Sequence, residues 1–157
     1  MRFHLIDRID SWTPHQHITA RKVTSVHEDL WQRTPDGPRL PLGLSLEALC
    51  QAGTWLIMLS TDHRSRAALL TVGEVVGGAP VRPGDVLRME AHVVSSSGEA
   101  AVVDGRVTSG GRTVLEARGI MCALIDAEEL DDPEDTRRMA RMLLGDKAPA
   151  APVGAAL

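Results

Sequence analysis

The segment "LPLGLSLEALCQAGTWLIMLS", residues 40–60, constrains this chain more than any other. It has helical length and almost no polar face, so it reads as a helix buried all round rather than an amphipathic surface helix. Such a helix makes sense if other elements curl around it and a second copy of the chain covers what remains, so self-association is expected. Near its middle stands one carboxylate, Glu47. An uncompensated buried carboxylate is costly and drifts towards its neutral form, so Glu47 calls for a partner, a pocket or a chemical task.

What wraps the helix follows from the flanking sequence. "FHLIDRIDSW" and "HITARKVTSV" alternate apolar and polar residues and are predicted as the first two strands, separated by the turn-prone "TPHQ". "RTPDGPRLP" is predicted as a loop that delivers the chain into a helix over 42–60, with Pro41 close to its first turn. A polar "STDHRSR" loop follows, and then four strand-like runs, "AALLTVGEVVGG", "DVLRMEAHVVSSS", "AAVVDGRVTSG" and "RTVLEARGIMCALI". Turn signals "RPGD", "SSGE" and "SGGR" lie between them, so this half reads as an antiparallel meander with hairpin connections. One helix against such strands is an α+β design, assigned to residues 1–126. Residues 127–145 turn acidic and then helical, with Asp131 or Asp132 able to cap a helix opened by Pro133. The Ala/Pro-rich 146–157 is expected to be a flexible tail.

Composition removes several function classes. The net charge is −4, aromatic residues make up 3%, and there is no basic run, so no nucleic-acid partner is expected. The start, "MRFHLIDRID", lacks the apolar core and small-residue cleavage site of a signal peptide. The longest apolar run is interrupted by Glu47, Gln51 and two glycines, so no membrane association is expected and the chain is placed in the cytoplasm. Cys50 and Cys122 lie in apolar runs without the spacing of a metal knuckle. They are expected to be buried free thiols, with no disulfide, no zinc and no cofactor.

Four motifs, in one order along the chain, resemble the β-hydroxyacyl-acyl-carrier-protein dehydratases of the FabA/FabZ type. "FHLIDRID" is similar to their opening "FLLVDRV", and Pro38 to Pro41 falls at their "PxMP" spacing. "LEALCQAG" resembles their "EAxxQ" helix signature, and "PVRPGDVL", Pro80 to Leu87, their "PVxPGDxL" turn. The resemblance spans roughly Phe3 to Ile125 and implies the hotdog fold, a dimeric antiparallel sheet wrapped around one long central helix. It departs at the loop before the helix. There the family reads "GHFPxxPxMPG", whose His is the catalytic base, whereas this chain reads "QRTPDGPRLPLG". Counting back from Glu47 puts Arg33 or Thr34 where the His should be, and no His occurs between Glu28 and Asp62. Leu42 stands in place of the family glycine, with Gly43 following.

The resemblance implies dehydration of 3-hydroxyacyl chains held on the phosphopantetheine arm of an acyl carrier protein, in fatty-acid or polyketide synthesis. A base removes the proton beside the thioester carbonyl, and an acid gives one to the departing hydroxyl. Glu47 takes the position of the acid, where desolvation suits a carboxyl to proton donation near neutral pH. The helix N-terminus, Leu42 to Leu44, could aim N–H groups at the thioester oxygen. Glu47 could instead be a structural residue satisfied by Gln51, one turn on, or by the partner subunit; Gln51, Leu42 and Gly43 are the candidate substrate contacts. Arg33 could bind a phosphate or carboxylate. For the base, His27 could reach the pocket from the end of the second strand; His4, His15 and His17 read as surface residues, and His63 and His92 have no supporting context. The base could instead come from a homologous chain, in a heterodimer rather than a homodimer. Two other readings stay open: a thioesterase in which Glu47 activates water or attacks the thioester, and a non-catalytic acyl-binding subunit. Small residues on the helix, Gly43, Ala48, Ala52 and Gly53, would admit a close backbone or a ligand.

Overall fold

The computed structural model describes residues 3–130 and 132–145. The apolar run forms a single helix, α1 (Leu42–Ser60), over the predicted residues. Around it bends a six-stranded antiparallel sheet built from β1 (Arg8–Thr13), β2 (His17–Val23), β5 (Ser65–Gly77), β6 (Val86–Ser96), β7 (Ala100–Ser109) and β8 (Arg112–Asp126). The strand order is β1-β2-β6-β7-β8-β5, and α1 touches all six. This is the hotdog arrangement.

Alternation in the strands decides which face meets the helix. On β6, Leu87, Met89 and Ala91 are buried while Arg88, Glu90 and His92 lie on the outer face. Together with Leu49, Leu56, Leu115 and Ile120 they form the core, and each large side chain removed from water contributes about 1.5–3 kcal/mol. Close approach of helix and sheet rests on small residues. Ala48 and Ala52 are fully buried, and a Cβ on Gly53 would stand 3.5 Å from the Val103 side chain. At Gly105 on β7 there is no room at all: a Cβ would meet the Glu90 carbonyl at 2.5 Å and Leu49 Cδ1 at 2.7 Å. Three of the four small helix residues therefore serve the sheet, and Gly43 alone faces open space.

The structure corrects the sequence reading in four places. First, β5 does not form a hairpin with β6; it crosses to the far edge and pairs with β8, and only β6-β7-β8 form the expected meander. Its last turn, at Gly110–Gly111, uses two positive φ values, 56° and 77°. Second, the opening strand begins at Arg8 rather than Phe3, because the backbone of residues 3–5 is bonded to the side chain of Gln51 instead of a neighbouring strand. Third, the Pro-rich loop contains a small hairpin, β3 (Gln32–Thr34) with β4 (Gly37–Arg39), closed by Gly37 at φ 99° and a Thr34 hydroxyl donating to the Gly37 carbonyl. Fourth, α1 is long and apolar enough, by length and composition alone, to cross a membrane, despite its interruptions. Its packing places it as the core helix instead, with its buried residues inside the sheet.

After a short 3-10 turn (Ala127–Glu129), α2 (Pro133–Leu144) opens with Pro133 in its first turn, and the Asp132 carboxylate accepts from the Glu134 N–H at 2.9 Å. Ala140 and Leu143 join the main core beside β1. The alternative cap Asp131 and the tail 146–157 lie outside the described residues.

Candidate active site

Glu47 sits on the second turn of α1, half-buried at a cleft of about 220 Å³ that is lined also by Phe3, His4, Gln51, Trp55 and Arg66. Its partner is Gln51, one turn on, whose Nε2 donates to Glu47 Oε1 at 2.9 Å. The same Nε2 donates to the Phe3 carbonyl at 3.1 Å, and Gln51 Oε1 accepts the Leu5 N–H at 2.8 Å. Both amide hydrogens and the carbonyl of Gln51 are thus committed within the chain. Gln51 orients the carboxylate and ties down the N-terminal segment. Among the described residues, Glu47 Oε2 takes no hydrogen bond, so it is the oxygen available to a ligand.

A second cleft, about 370 Å³, opens at the N-terminus of α1 between Arg39, Pro41, Leu42, Ser45, Gly77 and Gly78. The N-cap, Pro41, has no side-chain oxygen to offer the first amides of the helix. Ser45 is 1% exposed, and its hydroxyl finds no partner among the described residues. Of the Leu42–Leu44 amides expected to face a thioester oxygen, that of Leu44 already donates to the Pro41 carbonyl at 3.0 Å, so the donor set suited to a carbonyl oxygen is the Leu42 and Gly43 N–H groups with the buried Ser45 hydroxyl. Sequence reasoning passed over Ser45; the available signal was a lone hydroxyl on an otherwise apolar first turn. Residues two apart on a helix lie about 200° around its axis, so Ser45 and Glu47 face opposite sides and line different clefts.

The other sequence candidates are dispersed. His27 is exposed on the turn after β2, lines neither cleft, and neighbours Glu28, whose carboxylate pairs with the buried Lys22. Arg33 is exposed on β3 opposite Pro38 and also lines neither cleft, although Gln32 beside it and Arg39 across the hairpin line the second. Leu42 lines the second cleft; Gly43 is exposed next to it. His4, assigned by sequence to the surface, is exposed but lies in the Glu47 cleft.

Cys50 and Cys122 are free thiols, Cys122 buried and Cys50 only partly so. Burial, reinforced by the charge of Glu47 and by Cys122, pushes the Cys50 thiol up to about 12. It stays protonated and offers no nucleophile beside Glu47. A further cleft, about 530 Å³, is on the outer face of the sheet among Glu90, His92, Asp104, Arg106, Glu116 and Arg118. Burial pushes the Glu90 carboxyl up, but Arg106 and Arg88 outweigh it and hold the group below the usual carboxylate range, so this is an ion-paired surface rather than an acid–base site.

Comparison with known proteins agrees with this geometry. The family model described as the FabA-like domain matches residues 1–118. The 3-hydroxyacyl-[acyl-carrier-protein] dehydratase FabZ of Caulobacter sp. (strain K31) is 32% identical over 119 residues, covering 73% of this chain and 73% of that protein. The FabZ of Chlamydia pneumoniae is 36% identical over 135 residues, covering 82% and 86%. Among solved structures, a Streptococcus mutans UA159 protein bound to acetyl CoA superposes with a TM-score of 0.60 at 16% identity, covering 80% of this chain and 92% of that one. The dehydratase heterocomplex ApeI:P from Xenorhabdus doucetiae gives a TM-score of 0.60 at 14% identity, covering 87% and 89%. At those identities the two structures establish the fold alone. The family match, the FabZ relatives and a hotdog sheet wrapped around a Glu47-bearing helix agree, and the chain belongs to the FabA-like family.

Proposed function

We propose that this chain is a hydro-lyase that removes water from 3-hydroxyacyl thioesters presented on the phosphopantetheine arm of an acyl carrier protein. The observation that carries the reading is Glu47, which lines a cleft and is held through Oε1 by Gln51, in a chain whose relatives are FabZ dehydratases. A protonated Glu47 gives its proton to the C3 hydroxyl as the C–O bond breaks. The thioester oxygen gains negative charge when the neighbouring C2 proton leaves, and a buried hydroxyl such as Ser45, with the first amides of α1, suits it.

Because Ser45 and Glu47 face opposite sides of one helix, a substrate touching both needs two chains. β5 is suited to bring them together: it is a 13-residue edge strand that exposes Leu69, Leu70, Val75 and Val76, and such an edge calls for a partner. That partner is a second copy or, as the heteromeric ApeI:P neighbour suggests, a homologous hotdog chain. The test is intact mass spectrometry of a 3-hydroxyacyl carrier protein incubated with the purified chain. Loss of one water that disappears in Glu47→Gln supports the reading. Release of free acid identifies a thioesterase, and an unchanged carrier protein identifies a chain that is inactive without another.

A further inference from the structure

The loop before α1 carries no histidine, yet the Glu47 cleft contains one. His4 lines that cleft, and its position is set by the side chain that also sets Glu47. Gln51 donates to the carbonyl of Phe3 and accepts the N–H of Leu5, so the backbone on both sides of His4 is clamped. The remaining amide hydrogen of Gln51 goes to Glu47 Oε1. One amide therefore fixes an imidazole-bearing residue and a carboxylate on the same cavity. Leu5 and Ile6, 1% and 5% exposed, anchor the segment in the core immediately after His4. The other histidines do not share this cleft, and the Cys50 thiol, which feels the charge of Glu47, stays protonated.

We infer that His4 is the base of the dehydration, in place of the missing loop histidine; this rests on the hydro-lyase reading above. The imidazole takes the C2 proton, the C–H electron pair becomes the C2–C3 double bond, and the C3–O bond breaks as the hydroxyl leaves with the Glu47 proton. The products are the 2-enoyl thioester and water, and the imidazolium returns its proton to Glu47 through solvent. No oxidant or further reactant is needed. A homodimer is then chemically complete, since each Glu47 cleft carries its own base.

The test compares wild type, His4→Gln, His4→Gly and Glu47→Gln on a 3-hydroxyacyl carrier protein in heavy water, reading both water loss and deuterium uptake at C2. Removing a general base costs about 10²–10⁴-fold in rate. His4→Gln is expected to lose water elimination and C2 exchange by that factor with the melting temperature unchanged, because the side chain is exposed. Added imidazole is expected to restore part of the rate to His4→Gly, which a purely structural role would not allow. Full activity in His4→Gln, or no rescue of a folded His4→Gly, overturns the assignment of His4 while leaving the hydro-lyase reading intact. Absence of Glu47-dependent water loss in wild type overturns that reading itself, and the role of His4 with it.

Discussion

Replacing Gln51 by Met removes the three hydrogen bonds of the clamp while keeping an unbranched side chain of similar length. Two of those bonds, to the Leu5 N–H and to Glu47, are partly buried, and each is worth about 1 kcal/mol net; the third, to the Phe3 carbonyl, is exposed and adds little. The expected loss is about 2 kcal/mol. It is felt by the whole domain and not only by a fraying end, because Leu5 and Ile6 behind the clamp are core residues. For a chain of this size the loss lowers the melting temperature by about 4–8 °C. Hydrogen exchange at the Leu5 amide is expected to quicken more than at the strand amides of β7. Activity should fall about fivefold beyond any unfolding, which is what losing a bond of about 1 kcal/mol to an oriented Glu47 is worth. An unchanged melting temperature together with unchanged Leu5 exchange would show that Gln51 does not hold the N-terminal segment, and the shared clamp on His4 and Glu47 would fall with it.

Three other outcomes follow from the geometry. Gly105→Ala forces a Cβ against the Glu90 carbonyl at 2.5 Å and is expected to destabilise by about 2 kcal/mol or more in denaturant titration; a midpoint equal to wild type would mean that the sheet is not pressed onto α1 there. Ser45→Ala breaks no side-chain hydrogen bond among the described residues, so it should leave stability unchanged or raised while weakening turnover of the thioester several-fold; lost stability with intact turnover would reverse that assignment. Burial pushes the Glu28 carboxyl up, but the Lys22 ammonium and the Ser25 N–H outweigh it and hold the group below the usual carboxylate range. A lowered folded value stabilises the fold fully above the ordinary carboxylate pKa and less as pH falls through the lowered value. Glu28→Gln should therefore cost about 2 kcal/mol at neutral pH, with the 4%-exposed Lys22 left unpaired, and the gap to wild type should close in acid; a gap independent of pH contradicts the pairing.

The fold was legible where periodicity and turn chemistry acted locally. The bounds of α1 were readable because an apolar run closed by polar residues admits one interpretation, and Asp132–Pro133 announced α2 through its cap. The partner of β5 was not readable, since pairing across the sheet depends on where the connection through residues 78–85 leads and not on the strand's own sequence. Glu47 stands out in the sequence because a charge in an apolar helix is costly. The cleft position of His4 does not, because a strand-like alternation around it mimics a sheet position, whereas its backbone is held by a side chain 48 residues away from Phe3 in sequence. His27 and Arg33 lie close in sequence to the place of the missing histidine, but closeness in sequence does not carry either into the two clefts, whereas Gln32 and Arg39 of the β3–β4 hairpin line one.

Whether Glu47 exchanges a proton with the oxygen at C3 can be read by running the reaction backwards. A 2-enoyl carrier protein is incubated with the protein in water labelled with heavy oxygen, and the mass of the intact carrier is followed for wild type and Glu47→Gln. Wild type is expected to add one labelled water, retained as a C3 hydroxyl, and Glu47→Gln to lose this by at least about a hundredfold while remaining folded. Label found in released free acid, or label at C3 appearing equally fast in both proteins, would contradict that exchange.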